Sequence, residues 1–280
     1  MADKRKKITV PAIVAMKPAR QKIAMITAYD YPFAKIADDA DADIILVGDS
    51  LGTVVQGVKN TLPVTMEQMI YHCSMVARAV QTGLVVFDMP FMSYQESIEQ
   101  AKRNAGRALK EGGAEAVKLE GGANMAATIE AIVNIDIPVM AHIGLTPQSV
   151  HRIGGYKVQG RQEAERRKLT DDARAVQEAG AFAVVLELVP AELAAEITGM
   201  LNIPTIGIGS GVNCDGQVLV IHDLLGIYPE QRLKFVKQYA NLYEQSKKAI
   251  EQYCQEVRSG KYPDQDHSFF MEEKKKNEKA

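Results

Sequence analysis

The chain has 280 residues, of which 46% are hydrophobic and 24% are charged, and its formal net charge is −2 at pH 7. This composition is ordinary for a soluble globular protein, and the length suffices for one barrel-sized domain or two smaller ones. The nearly balanced charge excludes the electrostatic footprint of a protein that binds nucleic acid or acidic membranes. No apolar run reaches the roughly 18 to 20 residues that a membrane-spanning helix needs.

Two features favour a cytoplasmic location. Basic residues at 4–7 precede a mostly apolar run at 8–16, but this run is short and no clear small-residue cleavage site follows it. A secretory signal peptide is therefore not expected. The three cysteines are far apart and form no CxxC pair: Cys73, Cys214 and Cys254. An odd, scattered set of this kind is typical of free thiols in a reducing compartment.

The predicted elements alternate between strands and helices along the chain. Residues 1–21 are expected to cap one end of the fold with a short helix. Eight short apolar runs follow, mostly without polar alternation, as in strands that are buried on both faces. In chain order these runs are 22–29, 43–49, 84–90, 116–122, 138–144, 182–190, 204–210 and 217–223.

Helical spacing lies between most of these strands. The stretch 65–80 has apolar residues at helical spacing, and Ser93 with Glu96 three residues later predicts the start of a helix that ends near 112–113. Further helices are predicted from Asn124 to about Ile135, from Leu169 to Ala179, from Ala191 to Met200, and along an apolar stripe from Leu233 to Val257.

Eight strands alternating with helices favour an α/β fold, a (β/α)₈ TIM barrel in a single domain. We expect the barrel to span 22–260, with 1–21 as a capping segment and 261–280 as a C-terminal tail that ends in a charge run. A doubly wound open sheet is the alternative. Only 211–216 separate the seventh and eighth strands, too few residues for a crossover helix. Either that helix is vestigial or one strand is misplaced.

Ionisable residues fall at the ends of most predicted strands. Catalytic groups of a (β/α)₈ barrel lie at the C-terminal ends of its strands. Reading those ends gives Asp30, Asp49, Asp88, Glu120, His142, Glu187 and Asp223. Several carboxylates on one face cannot all remain charged without a counter-cation, and oxygen ligands select hard ions such as Mg²⁺. No cluster of histidine and cysteine points to zinc.

Each carboxylate also has a purely structural interpretation. Asp49 can cap the turn that follows it through its side chain, and Asp88 can hold the turn before Pro90. Glu120 can pair with Lys118, which lies two positions earlier on the same face of the strand. From the pattern alone, neither interpretation is preferred for any one of them.

Four further features have two interpretations each. Glu187 lies within the apolar stretch VVLELVP and is the hardest to explain structurally, because a buried carboxylate is a candidate general base. A strand-end histidine such as His142 is more often a structural hydrogen-bond donor than a catalyst. The loop GGYKVQGR at 154–161 is either a lid or anion clamp, or a solvated basic loop. GIGSG at 207–211 resembles a phosphate-binding turn, but glycines there also permit close packing.

A series of motifs resembles the ketopantoate hydroxymethyltransferase family. The motifs occur in the order of the family between about Lys22 and Phe269, and they are ITAYDYPFAK, LVGDSLG, TLPVTMEQM, DMPFMSY, VKLEGG, AHIGLTPQS, GGYKVQGR, LELVP, IGIGSG, DGQVLVIHD and YPDQDHSF. The resemblance implies a Mg²⁺-dependent (β/α)₈ barrel enzyme with 5,10-methylenetetrahydrofolate as co-substrate. It implies transfer of a hydroxymethyl (one-carbon) unit to 3-methyl-2-oxobutanoate through a Mg-stabilised enolate. The product would be 2-dehydropantoate, for the biosynthesis of pantothenate, a coenzyme A precursor. It also implies a homo-oligomer, commonly a decamer.

The resemblance carries residue roles onto the matching motifs. The implied metal ligands are Asp49, Asp88 and Glu120, directly or through water, and the implied oxo-acid contacts are Asp49, Ser50, Asp88 and Lys118. Glu187 matches the catalytic base of the family, and His142 lies in the same catalytic pocket. One departure is Ser210 in IGIGSG, where the family pattern has alanine.

Two other functions compete with this interpretation. A relative of phosphoenolpyruvate mutase or isocitrate lyase would share enolate chemistry and Mg²⁺ held by carboxylates, but such lyases often carry a cysteine in a KKCGH-like loop, which is absent here. A non-catalytic binding barrel predicts vacant or neutralised strand ends, whereas every implied ligand and the implied base are present.

Overall fold

Eight parallel strands form a closed barrel in the computed structural model, which describes residues 5–228 and 233–271. In chain order the strands are β1 (Ile23–Thr27), β2 (Ile44–Val47), β3 (Leu84–Asp88), β4 (Ala116–Glu120), β5 (Val139–Gly144), β6 (Ala183–Glu187), β7 (Thr205–Ile208) and β8 (Gly216–Leu219). Each strand pairs in parallel with the next along the chain, and β8 pairs with β1. The predicted (β/α)₈ barrel is therefore confirmed, and the open sheet is excluded.

Helices separate most of the strands, as a parallel sheet requires. In chain order the α-helices of the described residues are α1 (Val10–Met16), α2 (Tyr31–Asp39), α3 (Leu51–Val54), α4 (Met66–Ala79), α5 (Ile98–Lys110), α6 (Ala126–Val133), α7 (Val150–Ile153), α8 (Glu163–Glu178), α9 (Ala191–Met200), α10 (Ile221–Leu225) and α11 (Leu242–Arg258). Short 3₁₀ helices at Ala123–Met125 and Pro147–Ser149 precede α6 and α7.

Capping residues explain where several predicted helices begin. Thr65 and Gln68 form a reciprocal capping box that starts α4 as predicted. The predicted cap of α5 at Ser93 is wrong, because the Ser93 hydroxyl donates to Pro90 O at 2.6 Å while Ser97 accepts from Gln100 N and begins the helix. Helix α8 begins earlier than predicted because Gln162 caps it together with Glu165.

The last helix is shorter than its apolar stripe suggested. Helix α11 begins after Asn241, whose side chain accepts from Glu244 N, so Leu233, Val236 and Ala240 lie before the helix. None of the residues of α11 is buried.

The connection between β7 and β8 contains no helix among its residues 209–215, all of which are described. The seventh crossover helix is therefore absent and the strand assignment is confirmed. Strand β8 ends at Leu219, so the prediction of Asp223 at a strand end is wrong: Asp223 lies in α10. The helical turn starts early because Ile221 N donates to the Thr27 hydroxyl at 3.0 Å.

One buried hydrophobic cluster occupies the N-terminal half of the barrel. Ile13 of α1 is fully buried in a cluster whose barrel members are Ile23, Met25, Ile44, Leu46, Leu84, Val86, Ala116, Met140, Phe182, Ala183, Val185, Ile206 and Val218. Many of these are the first residues of their strands. Helix α1 thus packs against one end of the barrel, and the opposite end is left to the polar strand termini.

The described residues divide into two compact units, one of 5–221 with 233–236 and one of 222–228 with 237–271. The first contains the barrel and the second contains most of α10 and all of α11. The limits predicted for the capping segment, the barrel and the tail stay a prediction, and the end of the tail, 272–280, lies outside the described residues. A search of the described helices finds none with the length and hydropathy of a transmembrane segment.

Candidate active site

Strand register brings the predicted polar residues together at the C-terminal end of the barrel. Asp88 of β3 lies opposite Lys118 of β4, and Glu120 lies opposite His142 of β5. Glu187 ends β6 opposite Gly144. Asp49 and Ser50 follow β2 after Gly48. The structure therefore brings these residues together at one end of the barrel, and their roles stay a prediction.

Two residues of the strand-end prediction do not lie at strand ends. Asp30 begins α2, and its carboxylate accepts a 2.8 Å hydrogen bond from Phe33 N as a helix cap. Asp223 belongs to α10, in the second compact unit.

Asp88 and Lys118 form a buried ion pair with 2.6 Å between Lys118 Nζ and Asp88 Oδ1. The other oxygen, Asp88 Oδ2, accepts from Asp49 N at 3.2 Å. Burial alone would lower the Lys118 pKa, but the carboxylates of Asp88, Glu120 and Asp49 outweigh it and raise the pKa to about 12. Lys118 is therefore a fixed cation inside the site.

The carboxylates of Asp49 and Glu120 are buried beside Asp88, and one cation does not neutralise all three. Burial, and then the charge of Asp88, raises the pKa of Asp49 to about 7. Burial, and then the charge of Asp49, raises the pKa of Glu120 well above its usual range. The site thus has an affinity for additional positive charge, either protons or a metal cation.

A glutamine that sequence reasoning did not single out connects these carboxylates. Gln148 Nε2 donates to Asp49 Oδ2 at 2.9 Å and to Met89 O at 3.0 Å, and Gln148 N donates to Glu120 Oε2 at 3.0 Å. The hydroxyl of Tyr94 donates to Gln148 Oε1 at 2.7 Å. Both residues lie inside the motifs AHIGLTPQS and DMPFMSY, so the signal was present, but neither is an ionisable group at a strand end.

His142 lies between two carboxylates without making a hydrogen bond. Its Nε2 is 3.3 Å from Glu187 Oε2, and its Nδ1 is 3.8 Å from Glu120 Oε1. Both ring nitrogens and Glu120 Oε1 are buried and have no hydrogen-bond partner within the described part of the chain. Burial, and then Lys118, lowers the His142 pKa, so the ring is neutral near pH 7. Unpartnered buried polar atoms of this kind indicate a position for a bound ligand.

Glu187 differs from the other carboxylates in exposure. Its side chain is 15% exposed, against 4% for Asp88 and for Glu120. The expectation of a buried Glu187 is corrected to a partly exposed one, because its position as the last residue of β6 places the carboxylate at the mouth of the barrel. Leu188 follows in the left-handed region with φ 47, a conformation that is uncommon outside glycine and is found at functional sites.

Tyr29, which lies just after β1, contacts the hydroxyl of Ser50. Tyr29 OH and Ser50 Oγ are 2.7 Å apart, and Tyr29 O lies 2.6 Å from His72 Nδ1. This arrangement fixes Ser50 beside Asp49 through a residue of ITAYDYPFAK that sequence reasoning did not assign.

The two glycine-rich segments contact the chain next to Glu187. In the loop 154–161, Gln159 N donates to Leu188 O at 2.9 Å. In GIGSG, the buried Ser210 hydroxyl donates to Leu186 O at 2.8 Å and accepts from Val189 N at 3.1 Å. Ser210 thus supports the strand end that carries Glu187, a contact that the alanine of the family pattern would not make.

A cavity of about 530 Å³ lies beside Glu120 and Gln148. Phe91, Tyr94 and Ile143 contribute to one part of its lining, and Lys157 from the loop 154–161 contributes to another. Of the two interpretations of this loop, its position favours a lid or anion clamp over a solvated basic loop, because Lys157 borders the cavity next to the carboxylates.

The donor set fits a hard divalent cation. Among residues 5–228 and 233–271, no three His, Cys, Asp or Glu side chains already stand in a metal-binding arrangement. However, the site gathers three buried carboxylates against one lysine, and the buried Glu120 Oε1 lacks a partner in the described part of the chain. Oxygen donors with excess negative charge are what Mg²⁺ prefers.

Comparison with known proteins gives consistent matches over nearly the whole chain. The family model described as ketopantoate hydroxymethyltransferase matches residues 7–265. The chain is 59% identical to the 3-methyl-2-oxobutanoate hydroxymethyltransferase of Pelobacter propionicus, covering 96% of this chain and 100% of the relative. It is 60% identical to the protein of the same name from Carboxydothermus hydrogenoformans, covering 95% and 96% of the two chains.

Solved structures show likeness in fold at low identity. A phosphonopyruvate hydrolase in complex with oxalate and Mg²⁺ has a TM-score of 0.60 and 12% identity, covering 93% of both chains. A 2,3-dimethylmalate lyase of the PEP mutase/isocitrate lyase superfamily has a TM-score of 0.60 and 16% identity, covering 92% and 91%. At these identities the likeness concerns the barrel alone.

Proposed function

The chain belongs to the ketopantoate hydroxymethyltransferase family, and from this membership we infer that it transfers a hydroxymethyl unit to 3-methyl-2-oxobutanoate. We propose 5,10-methylenetetrahydrofolate as the one-carbon donor and 2-dehydropantoate, a precursor of pantothenate, as the product. The observation that carries the proposal is the position of Glu187 across His142 from the buried Asp49, Asp88, Glu120 and Lys118 cluster. One side suits binding of an anionic oxo acid and the other suits proton transfer.

Binding of the oxo acid would use the fixed cation and the hydroxyl next to it. The Lys118 ammonium, with its pKa raised to about 12, neutralises the substrate carboxylate at any physiological pH. The Ser50 hydroxyl, oriented by Tyr29, donates or accepts a further hydrogen bond. Asp49 and Asp88 adjoin the same space and would contact the oxo acid through the cation that they hold.

Asp49, Asp88 and Glu120 would hold Mg²⁺. When bound, the cation would polarise the C2 carbonyl of the oxo acid and stabilise negative charge that develops on its oxygen. This proposal is supported by the donor chemistry of the three carboxylates and by the unpartnered Glu120 Oε1 in the described part of the chain.

Glu187 would act as the general base. Its partly exposed carboxylate accepts the proton from C3 of the oxo acid, and the C3 electron pair forms a bond to the methylene carbon of the folate while one of the two C–N bonds of that carbon breaks, an aldol-like step. Water then displaces the second nitrogen and leaves its hydroxyl group on the transferred carbon. The two released nitrogens of tetrahydrofolate take up the C3 proton, returned by Glu187, and the remaining proton of the water. His142, with its pKa lowered, lies in the same pocket with Nε2 3.3 Å from Glu187 Oε2.

We further propose a cytoplasmic homo-oligomer. The three cysteines are free thiols, two of them buried, which suits a reducing compartment. The oligomer, a decamer in the resemblance, is checked by light scattering of the purified protein, with a monomer as the contrary outcome.

A folate-dependent assay tests the proposed reaction. Purified enzyme with Mg²⁺ should consume 3-methyl-2-oxobutanoate and form 2-dehydropantoate in proportion to added 5,10-methylenetetrahydrofolate. The matched control is Glu187→Gln, which keeps the shape of the side chain and removes the base. Turnover of the oxo acid without folate, or activity on phosphonopyruvate in its place, would contradict the proposal.

A further inference from the structure

Gln148 makes hydrogen bonds to two of the candidate metal ligands. Its side chain is buried, and it sits in the 3₁₀ turn Pro147–Ser149 at the end of the β5 loop. Its amide reaches Asp49 Oδ2 at 2.9 Å, and its backbone N–H reaches Glu120 Oε2 at 3.0 Å. One residue therefore fixes one oxygen of each of two carboxylates that come from different strands.

The orientation of the Gln148 amide follows from its neighbours. A backbone carbonyl can only accept, so the amide atom 3.0 Å from Met89 O must be Nε2. The opposite atom, Oε1, then accepts from Tyr94 OH at 2.7 Å and from Gln95 Nε2 at 3.0 Å. With Nε2 directed at Asp49 Oδ2, Gln148 can act only as a donor to that carboxylate.

Tyr94 links Gln148 to Glu120 of β4. Its hydroxyl accepts from Glu120 N at 3.1 Å while it donates to Gln148 Oε1. The ring of contacts joining Tyr94, Gln148 and Glu120 leaves Glu120 Oε1 as the oxygen with no hydrogen-bond partner in the described residues. Fixing one oxygen of a carboxylate directs its other oxygen toward a ligand.

We propose that Gln148 is a positioning residue of the Mg²⁺ site, which orients Asp49 and Glu120 through its amide and its backbone N–H. It contacts the carboxylates that are proposed to bind the cation. The inference rests on the proposed function in one respect, that the carboxylates bind Mg²⁺. Partners of this kind typically change metal affinity by 10- to 100-fold when removed.

Calorimetric titration of the purified protein with Mg²⁺, without substrate, tests the inference. Gln148→Met keeps the length of the side chain and removes the amide, and we expect its Kd for Mg²⁺ to rise about 10- to 100-fold. We also expect kcat to approach that of the wild type once Mg²⁺ is saturating. The matched control is Gln95→Met, which removes a donor to Gln148 Oε1 but touches neither carboxylate, and its Kd should stay within about twofold.

The outcomes separate the inference from the proposed function. A folded Gln148→Met protein with the Kd of the wild type overturns the inference alone. Wild-type protein that binds no Mg²⁺ overturns the metal site and the inference together. If Gln148→Met does not fold, Tyr94→Phe replaces it, since it keeps the ring and removes the hydroxyl that contacts both Gln148 Oε1 and Glu120 N, whereas Gln95 contacts only the former. An unchanged Kd in folded Tyr94→Phe likewise overturns the inference.

Discussion

The carboxylates at the mouth of the barrel are held to different degrees. Both oxygens of Asp88 are occupied, one by the Lys118 ammonium and one by Asp49 N, and one oxygen of Glu120 is held by Gln148 N. Glu187 is more exposed than either of them. Fixed, buried oxygens suit the binding of a cation, whereas an accessible carboxylate suits the capture of a proton. The division of roles is therefore a difference of environment between chemically similar groups.

Replacement of Glu187 by glutamine should separate binding from proton transfer. Glu187→Gln keeps the volume of the side chain and removes the base, so we expect kcat to fall by about 10²- to 10⁴-fold. Binding of the oxo acid in the presence of Mg²⁺ should stay within a few-fold, measured by calorimetry.

Exchange of the C3 hydrogen of the oxo acid for deuterium in D₂O, monitored by NMR in the absence of folate, reports directly on proton abstraction. The wild type should exchange this hydrogen and Glu187→Gln should not. Exchange at the wild-type rate in the variant would remove Glu187 as the base.

Removal of Asp88 should destabilise the protein, because it leaves a buried charge unpaired. Asp88→Ala leaves the Lys118 ammonium buried without its 2.6 Å partner, and breaking a buried pair in this way typically costs about 3–5 kcal/mol. We expect a lower free energy of unfolding in urea and weaker binding of both Mg²⁺ and the oxo acid.

The matched control removes both charges. Asp88→Leu combined with Lys118→Met should recover part of the stability, since it removes the unpaired ammonium, but should not recover binding. Equal losses of stability in the single and the double variant would show that the pair is not the source of the effect.

At the scale of elements, the segments that follow β5 and β6 determine where Glu187 lies. Gly144 ends β5 with φ +94, and a Cβ built there would lie 2.3 Å from Glu187 O. Beyond Glu187, Leu188 N donates to Ile208 O, and Ser210 holds Leu186 O and Val189 N. Close contacts from the ends of β5 and β7 therefore converge on the segment that carries the proposed base.

Substitution of Gly144 tests whether these close contacts position Glu187. Gly144→Ala introduces both an unfavourable positive φ and a contact with Glu187 O, so the end of β6 must move. We expect a fall in kcat of at least about tenfold, because small displacements of a catalytic group are costly, with Mg²⁺ affinity much less affected.

The control for this substitution lies in a helix. Gly199 is in α9, and a Cβ there meets no atom within 4 Å. Gly199→Ala should leave kcat unchanged and stabilise the protein by about 0.5–1 kcal/mol. Full activity of Gly144→Ala would show that Glu187 does not depend on this close approach.

Asp38 at the end of α2 holds the connection between α4 and β3. Its carboxylate accepts from Gln81 N, Thr82 N and Gly83 N at 2.8–3.0 Å and from the Thr82 hydroxyl. Burial alone would raise the Asp38 pKa, but these donors outweigh it and hold the pKa below its usual range. A group with a depressed pKa in the folded state contributes stability above its unfolded pKa and loses it as pH falls through the folded pKa.

Asp38→Asn should therefore destabilise the protein by about 1–3 kcal/mol at pH 7, measured by urea unfolding, because donors to a charged acceptor lose their partner. The difference between wild type and variant should stay constant down to about pH 5 and shrink below about pH 4. Asp39→Asn on the exposed side of α2 is the control and should change little. A difference that does not shrink in acid would contradict the ionised role of Asp38.

For the whole molecule, the sequence is sufficient to predict the barrel and most of the polar residues that lie together at the C-terminal end of its strands. The eight apolar runs coincide with the eight strands, except that β8 begins one residue before its run, because strands buried on both faces leave a continuous hydrophobic signal. Asp223 was misplaced because the run QVLVIHD continues from β8 into α10, and short apolar runs do not distinguish the two structures. Gln148 was missed because its contacts with Asp49 span 99 positions in sequence. No local pattern records a contact of that kind.

Binding of a ligand at the candidate active site should raise the stability of the whole fold. A ligand that binds only the folded state stabilises it by about 2.7 kcal/mol at 100 times its Kd, which corresponds to a rise in Tm of about 5–10 °C for a chain of this size. We expect Mg²⁺ with 3-methyl-2-oxobutanoate to produce such a rise, and EDTA to remove it. Glu187→Gln should retain the rise, since it removes only the base. Lys118→Met should lose most of it, because the oxo-acid carboxylate loses its cation. Scanning fluorimetry at one fixed protein concentration measures all of these, and an equal rise in Lys118→Met would place the oxo acid elsewhere in the barrel.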